Sequence, residues 1–501
     1  MNQKKGEALS AYLLRATSLS ICFGFIFLAV PCFSQEWKEL LVKNLESEIK
    51  KQGFKKSDLG LYISYAGENA EVKLLDLNAE KKFTPASLTK IVTAGAILER
   101  FPVGHKFVTR LQSKAPREAG VLKGDLYLNG GGDAGFVSET MWYLVNEFLR
   151  TDIKIIEGDI VVDDSRFDQV RFDPGRDPSR VDRAYDAPIG AMTFNWSAAN
   201  VFVRPGDETG DPVKVYLDPA NEYLGLSNKA KTALPGTSPQ LQVSREETTR
   251  KVSASQNFVD KIVVTGQMGV DQKETVFYKS ISKPGLWAGY NLVSFLKQRG
   301  VTVRGSVRLG VVPKGAATLA DVDSRPLPEL VAGMMKFSNN YIAEIMTKNL
   351  AAELKGTPAS METGLGVIRD YVHQLGIKPG HFAMTNPSGL SRRNNFRPRD
   401  LHTILVHLKN SFRIYPELAS ALPIAGVDGT LEKRLKDTNA EGLLRAKTGH
   451  LTGVSGLAGY VGRPDGRQFT FVFLYNGKAN KTFEARRLFD RFAETLAGDH
   501  Q

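Results

Sequence analysis

Residues 85–90 read Pro85-Ala86-Ser87-Leu88-Thr89-Lys90 and run on into Ile91-Val92-Thr93-Ala94-Gly95-Ala96-Ile97-Leu98. The continuation is apolar almost all round, which describes a helix buried in a domain core. With Ser87 at the N-terminus of that helix, Lys90 falls one turn along on the same face. A serine hydroxyl needs a nearby base to become a nucleophile, and a desolvated, neutral lysine can serve. Burial of the helix would lower the lysine pKa. Alone the pair is a weak signal: an N-cap serine beside a solvated lysine explains it as well. Ser280-Ile281-Ser282-Lys283 repeats the spacing, but Pro284 biases Lys283 away from helix.

Working outward, Leu59 to Tyr65 and Val72 to Leu77 read as a hairpin around the turn Ala66-Gly67-Glu68-Asn69, delivering the chain to Ser87. A helix over Trp37 to Lys51 precedes it. Beyond Phe101 the chain becomes a series of short strands punctuated by Gly and Pro, as far as about Gly310. Val121 to Asn129, Ile153 to Val162 and Val301 to Val311 read as strands, Met141 to Arg150 and Trp287 to Arg299 as helices. Residues 200–268 are polar and strand-rich. From Pro328 helices return over Glu329 to Met335, Tyr341 to Leu354, Glu362 to Leu375 and Arg399 to Asn410. Gly453 to Val461 and Phe469 to Tyr475 form a hairpin around Arg463-Pro464-Asp465-Gly466, and a helix from Phe483 to Ala497 follows. The two ends therefore read as one α+β domain, 35–104 with 326–501, split by a long insertion. Within it, 105–199 and 269–325 form an α/β subdomain and 200–268 a nested β-rich one.

At 501 residues the chain is too long for one core, and 42% hydrophobic with 24% charged residues is a globular composition. Lys4, Lys5 and Arg15, an apolar run from Leu19 to Val30, and Cys32-Phe33-Ser34 before Gln35 have the pattern of a signal peptide over 1–34. Cleavage near Ser34 and export to a periplasm or cell envelope are expected. Both cysteines, Cys22 and Cys32, lie in that segment, so the mature chain has no thiol chemistry. Losing Lys4, Lys5, Arg15 and Glu7 takes the formal charge from +12 to +10. No basic run is interleaved with aromatics, so nucleic acid is not an expected partner; peripheral association with an anionic membrane or wall surface is compatible with the charge. The histidines lack metal-ligand spacing, and no metal or cofactor is expected. Gly130-Gly131-Gly132-Asp133-Ala134-Gly135 formally matches a dinucleotide-binding loop, but the following helix starts too late to hold a pyrophosphate, and the glycines read as a tight turn.

Two further motifs give Ser87 company. Ser338-Asn339-Asn340 lies between two helices, and Lys447-Thr448-Gly449 stands before the last hairpin. Cleaving an amide requires a proton delivered to the leaving nitrogen, which the Ser338 hydroxyl can relay. Asn340 can hold the substrate backbone and orient Lys90. Lys447 and Thr448 suit a substrate carboxylate, and Gly449 lets a strand approach the acyl group. The backbone N–H groups of Ser87 and His450 would hold the oxyanion, at about 3–4 kcal/mol per donor. The His450 imidazole is expected to tune activity near neutral pH. Ser-x-Asn recurs at Ser255-Gln256-Asn257, so the order and context of all three motifs carry the weight.

The set resembles the penicillin-binding proteins and serine β-lactamases. The gaps, 338 − 87 = 251 and 447 − 338 = 109, resemble the low-molecular-mass class C D-alanyl-D-alanine carboxypeptidases/endopeptidases, peptidase family S13. Tyr185-Asp186-Ala187-Pro188 and Pro387-Ser388-Gly389-Leu390-Ser391-Arg392 add to the likeness. The resemblance implies a transpeptidase-like domain, an antiparallel sheet with helices on both sides, interrupted by two nested insertions. It implies a serine D,D-peptidase acting through an acyl-enzyme on Ser87, with peptidoglycan stem peptides as substrates and β-lactam antibiotics as acylating agents. It also implies that Asp163 and Phe167 hold the free amino end of a diaminopimelate and that Arg392 binds its carboxylate. Thr452 stands where relatives carry glutamine. A serine β-lactamase and a non-catalytic sensor of the same fold are the rival readings.

Overall fold

Residues 469–475 read Phe-Thr-Phe-Val-Phe-Leu-Tyr, and every one is buried. In the computed structural model, which describes residues 30–67, 70–173, 176–248 and 258–498, they form the middle of a five-stranded antiparallel sheet. Its strand order is Leu444–Leu451, Val454–Gly462, Gln468–Asn476, Leu59–Ala66, Glu71–Leu77. A continuous apolar run, rather than an alternating one, is what a strand covered on both faces needs. Phe473 packs against Phe489 and Phe492 of the helix Thr482–Ala497, with ring centroids 5.6 and 5.4 Å apart. Val472 and Leu474, pointing the other way, join the core built by Ile91, Leu401 and Leu405. Sheet and helices therefore form the expected α+β sandwich, closed by strands from the two ends of the chain.

The helix Val30–Lys51 starts seven residues before the expected Trp37 and belongs to a separate compact unit, residues 1–55. Most of the predicted signal segment lies outside the described residues. None of the described helices is long and apolar enough to cross a membrane.

Residues 56–498 hold two hydrophobic cores. One surrounds the helix Thr89–Arg100; the other spans the insertion from Leu111 to Ala320. Three runs expected to be single strands are each broken in two: Val121–Leu122 and Leu126–Asn129, Ile155–Ile156 and Ile160–Asp163, Thr302–Val303 and Val307–Leu309. The breaks fall at Gly124, Gly158 and Gly305. A Cβ on Gly158 would lie 2.3 Å from the Gly124 backbone, and one on Gly305 2.3 Å from the Gly158 carbonyl. Only glycine lets three backbones cross this closely. The following residues lock the crossing: Asp125 accepts from the Asp159 N–H, Asp159 from the Ser306 N–H, both at 2.8 Å.

The expected boundary at 199/200 falls inside the strand Ala198–Arg204, which pairs with Thr275–Ser280. Leu224, Val243, Ile262 and Val264 of the nested segment share the core of Trp287 and Leu292. A short helix, Tyr415–Ala421, was not foreseen. Ser280 ends a strand and Lys283 precedes the helix Pro284–Gln298, so this second Ser-x-x-Lys lacks the helical setting. Ser255-Gln256-Asn257 lies outside the described residues.

Candidate active site

Ser87 sits in the single 3-10 turn Ala86–Leu88, which runs directly into the helix Thr89–Arg100. Residues 89–98 of that helix are all buried, whereas Ser87 is partly exposed. Ala86 has φ +48°, a conformation costing a non-glycine residue about 1–3 kcal/mol that is characteristic of functional turns.

Lys90 Nζ lies 3.1 Å from Ser87 Oγ, 2.7 Å from Asn340 Oδ1 and 2.5 Å from the Ser388 carbonyl oxygen. An amide oxygen and a carbonyl can only accept. In the neutral amine they take both N–H hydrogens, and the one remaining lone pair faces the Ser87 hydroxyl. Complete burial first, and then the neighbouring Lys447, hold the Lys90 pKa well below the usual lysine range, against a smaller upward pull from Glu344. Deprotonation and hydrogen-bond geometry thus favour the same state.

Asn339 caps the helix Asn340–Lys355, its Oδ1 accepting from the Ile342 N–H at 3.1 Å. The cap leaves Ser338 and Asn340 on either side of it to face the cleft, and Ser338 takes φ +55°. Asn340 also donates to the Tyr185 carbonyl at 2.8 Å, joining the site to the insertion. Lys447 Nζ donates to Ser338 Oγ at 2.9 Å and to the Thr448 carbonyl at 2.8 Å; burial pushes its pKa down to about 7.

Lys447, Thr448 and Gly449 lie within the edge strand Leu444–Leu451 rather than ahead of the hairpin. Ala446 N–H donates to the Pro423 carbonyl and Leu444 C=O accepts from Ala425 N–H, both off the open side of the sheet. By the two-residue period of a strand, Thr448 and His450 turn their backbone groups to that side as well. The strand also lies against the Ser87 turn, since a Cβ on Gly449 would lie 2.8 Å from the Pro85 carbonyl. The Thr448 hydroxyl donates to Thr430 Oγ1 at 2.8 Å, and the His450 side chain is exposed. Arg392, also exposed, donates to the Thr452 carbonyl at 2.5 Å, so the arginine and the unusual threonine are direct neighbours.

Asp163 and Phe167 are held by contacts of their own. Asp163 ends an inserted strand, and its carboxylate accepts the N–H groups of Ser165 (2.9 Å) and Val312 (2.7 Å). Phe167 is 1% exposed in the main core. The Gly130 loop is filled by protein: Cβ atoms on Gly130, Gly131 and Gly132 would lie 2.5 Å or less from Met192, Val108 and Asn349. Nothing is left for a phosphate to occupy.

Two groups were missed. The Ser388 carbonyl touches Lys90, and the buried Glu344 accepts from Ser388 Oγ and Asn386 Nδ2, each at 3.2 Å. Burial raises the Glu344 pKa to about 7. Its signal was its place four residues after Asn340, on the same helix face.

A buried lysine poised on a half-exposed serine, a second lysine–serine pair and an edge strand beside them define the serine acyl-transfer class built on an α+β sandwich. A profile of the D-Ala-D-Ala carboxypeptidase 3 (S13) family matches residues 41–497, and the chain belongs to that family. It is a serine-type D,D-peptidase. The D-alanyl-D-alanine carboxypeptidase of Actinomadura sp. (strain R39) is 33% identical over 420 residues, 81% of this chain and 75% of that protein. D-alanyl-D-alanine carboxypeptidase DacB of Haemophilus influenzae is 25% identical over 476 residues, 94% of this chain and 95% of the relative. The crystal structure of penicillin binding protein 4 (dacB) from Haemophilus influenzae superposes with a TM-score of 0.76 at 25% identity, covering 90% of this chain and 98% of that one.

Proposed function

We propose that Ser87 is the nucleophile of an exported peptidase that cleaves the D-Ala-D-Ala bond of a peptidoglycan stem, or the D-Ala-diaminopimelate cross-link. The observation that carries this is the hydrogen-bond accounting at Lys90, whose one free lone pair meets the Ser87 hydroxyl. Ser87 Oγ attacks the carbonyl carbon as its proton passes to Lys90 Nζ, and the oxyanion is held by the Ser87 and His450 N–H groups. The C–N bond breaks as the Ser338 hydroxyl, replenished by Lys447, delivers a proton to the leaving amine. The proton on Lys90 passes through solvent to Lys447, which resets both amines; water then attacks the acyl carbon and gives a proton to Lys90, which hands it to Ser87 Oγ as the ester C–O bond breaks. Thr448 and Arg392 are placed to receive substrate carboxylates at the edge strand. β-Lactams enter the same first half-reaction.

The test is labelling with a fluorescent penicillin, followed by mass analysis of muropeptides incubated with the enzyme. Labelling is expected to vanish in Ser87→Ala, and cleaved stems are expected only with the intact serine. Labelling that persists in Ser87→Ala refutes the mechanism. Labelling without cleavage favours the non-catalytic sensor, and fast turnover of the penicillin itself favours a β-lactamase.

A further inference from the structure

Beyond Ser338 the cleft continues into a cavity of about 780 Å³, reaching across to the insertion at Trp196, Tyr278 and Asp218. Its walls carry an unusual density of exposed rings: Trp196 is 47% exposed, Tyr185 53%, Tyr278 61% and Phe337 73%. The tryptophan is presented at a cost. Asn195, Trp196 and Ser197 all have left-handed backbones, φ +46°, +54° and +52°. Three successive non-glycine residues in that region cost about 1–3 kcal/mol each. Asn195 pins the turn, exchanging two 3.1 Å hydrogen bonds with Ser138. Phe194 and Ser197 on either side are fully buried. The indole is the most exposed side chain of the turn, so the strained backbone displays one ring in the cavity.

The charges say what the ring is displayed to. Glu139, Glu329, Asp218 and Arg325 line the space, and Arg325 is already paired to Glu139 at 3.0 Å. The remaining polar groups are neutral amides and hydroxyls, including Asn195, Asn200 and Asn339. A stem peptide, which bears several carboxylates, meets net negative charge and no spare cation here. A pyranose is uncharged, hydrogen-bonds to amides, and presents an apolar C–H face that complements the electron-rich face of an aromatic ring.

We propose that this cavity is a subsite for an N-acetylated sugar ring of the peptidoglycan glycan strand. The inference rests on the peptidase reading of Ser87 and extends it to the substrate's carbohydrate. A stem of three or four residues spans about 10–14 Å when extended, so sugar and scissile bond can be held together, the sugar anchoring the strand while the stem reaches Ser87.

The experiment compares a disaccharide-pentapeptide with the same pentapeptide lacking sugar, in the wild-type chain and in Trp196→Ala, Trp196→Phe and Tyr278→Ala. Stacking on one ring is worth up to about tenfold in affinity. The wild type is expected to favour the disaccharide substrate by about that factor, through KM. Trp196→Ala should erase the preference, Trp196→Phe should restore most of it, and penicillin acylation should stay within about twofold. Titration with tri-N-acetylchitotriose should quench tryptophan fluorescence in the wild type and not in Trp196→Phe. Equal wild-type rates on the two substrates overturn the proposal. So does a Trp196→Ala variant that slows both substrates and acylation alike, or a preference that follows the stem carboxylates instead of the sugar. Loss of penicillin labelling at Ser87 would instead strike the peptidase reading, and chitotriose quenching is independent of it.

Discussion

Lys447→Met should give a protein that is inactive and more stable than the wild type at neutral pH. The Lys447 amine is held at about 7 by burial against an ordinary 10.5. The difference, 10.5 − 7 = 3.5 units at 1.36 kcal/mol each, is a penalty of about 5 kcal/mol at pH 7. Replacing the amine leaves the Thr448 carbonyl and the Ser338 hydroxyl without their donor, which costs about 1–3 kcal/mol. The net gain is about 2–4 kcal/mol. Between pH 7 and 10.5 the unfolded chain holds a proton on this amine that the folded chain lacks, so wild-type stability rises with pH by up to about 1.36 kcal/mol per unit. Methionine has no such slope. Urea unfolding at pH 7.5 and 9.5 should therefore show the variant's advantage shrinking by up to about 3 kcal/mol over the interval. A gap independent of pH, or a variant less stable at both values, refutes the claim that the site is maintained at the expense of the fold.

Glu344→Gln removes the negative charge that raises the Lys90 pKa. Glu344 carries that charge only above its own pKa of about 7, so penicillin acylation in Glu344→Gln should be as fast as or faster than wild type above pH 7 and should follow the wild-type profile below it. Gly389→Ala places a Cβ 2.0 Å from the Ala86 carbonyl in a left-handed backbone. It should slow acylation at least tenfold and cost about 1–3 kcal/mol in thermal unfolding. Gly442→Ala, left-handed but with open space around it, should cost about 1 kcal/mol and leave acylation alone.

The residues that meet around Ser87 were legible because each motif carries its own local structure. An apolar run follows Ser87, helices flank Ser338, and a hairpin follows Lys447. The sandwich was legible for the same reason, since Gly453 to Val461 and Phe469 to Tyr475 read as a hairpin and the helices around it as one domain with the N-terminal hairpin. The glycine crossing was not: Gly124, Gly158 and Gly305 interrupt apolar strands without changing their period, and only the partner backbones explain them. The left-handed turn at Trp196 has no glycine or Asn-Gly signature to announce it. The contacts of Asp163 and Phe167 were not legible, because chemical type is visible in a sequence while the direction of a side chain is not. Glu344 was passed over because a glutamate on a helix ordinarily points to water.

The main sheet is completed by the last strands of the chain. Leu59 pairs with Tyr475, 475 − 59 = 416 positions later, so Leu59–Ala66 has an unfilled edge until almost all of the polypeptide is present. Such long-range pairing is slow to form and exposes an aggregation-prone strand meanwhile. The same long-range closure completes the site. The amine of Lys447 reaches Ser338 only when the C-terminal hairpin docks, so a truncated or half-folded molecule carries Ser87 but cannot use it. The assembly of this peptidase site is thereby tied to docking of the C-terminal hairpin.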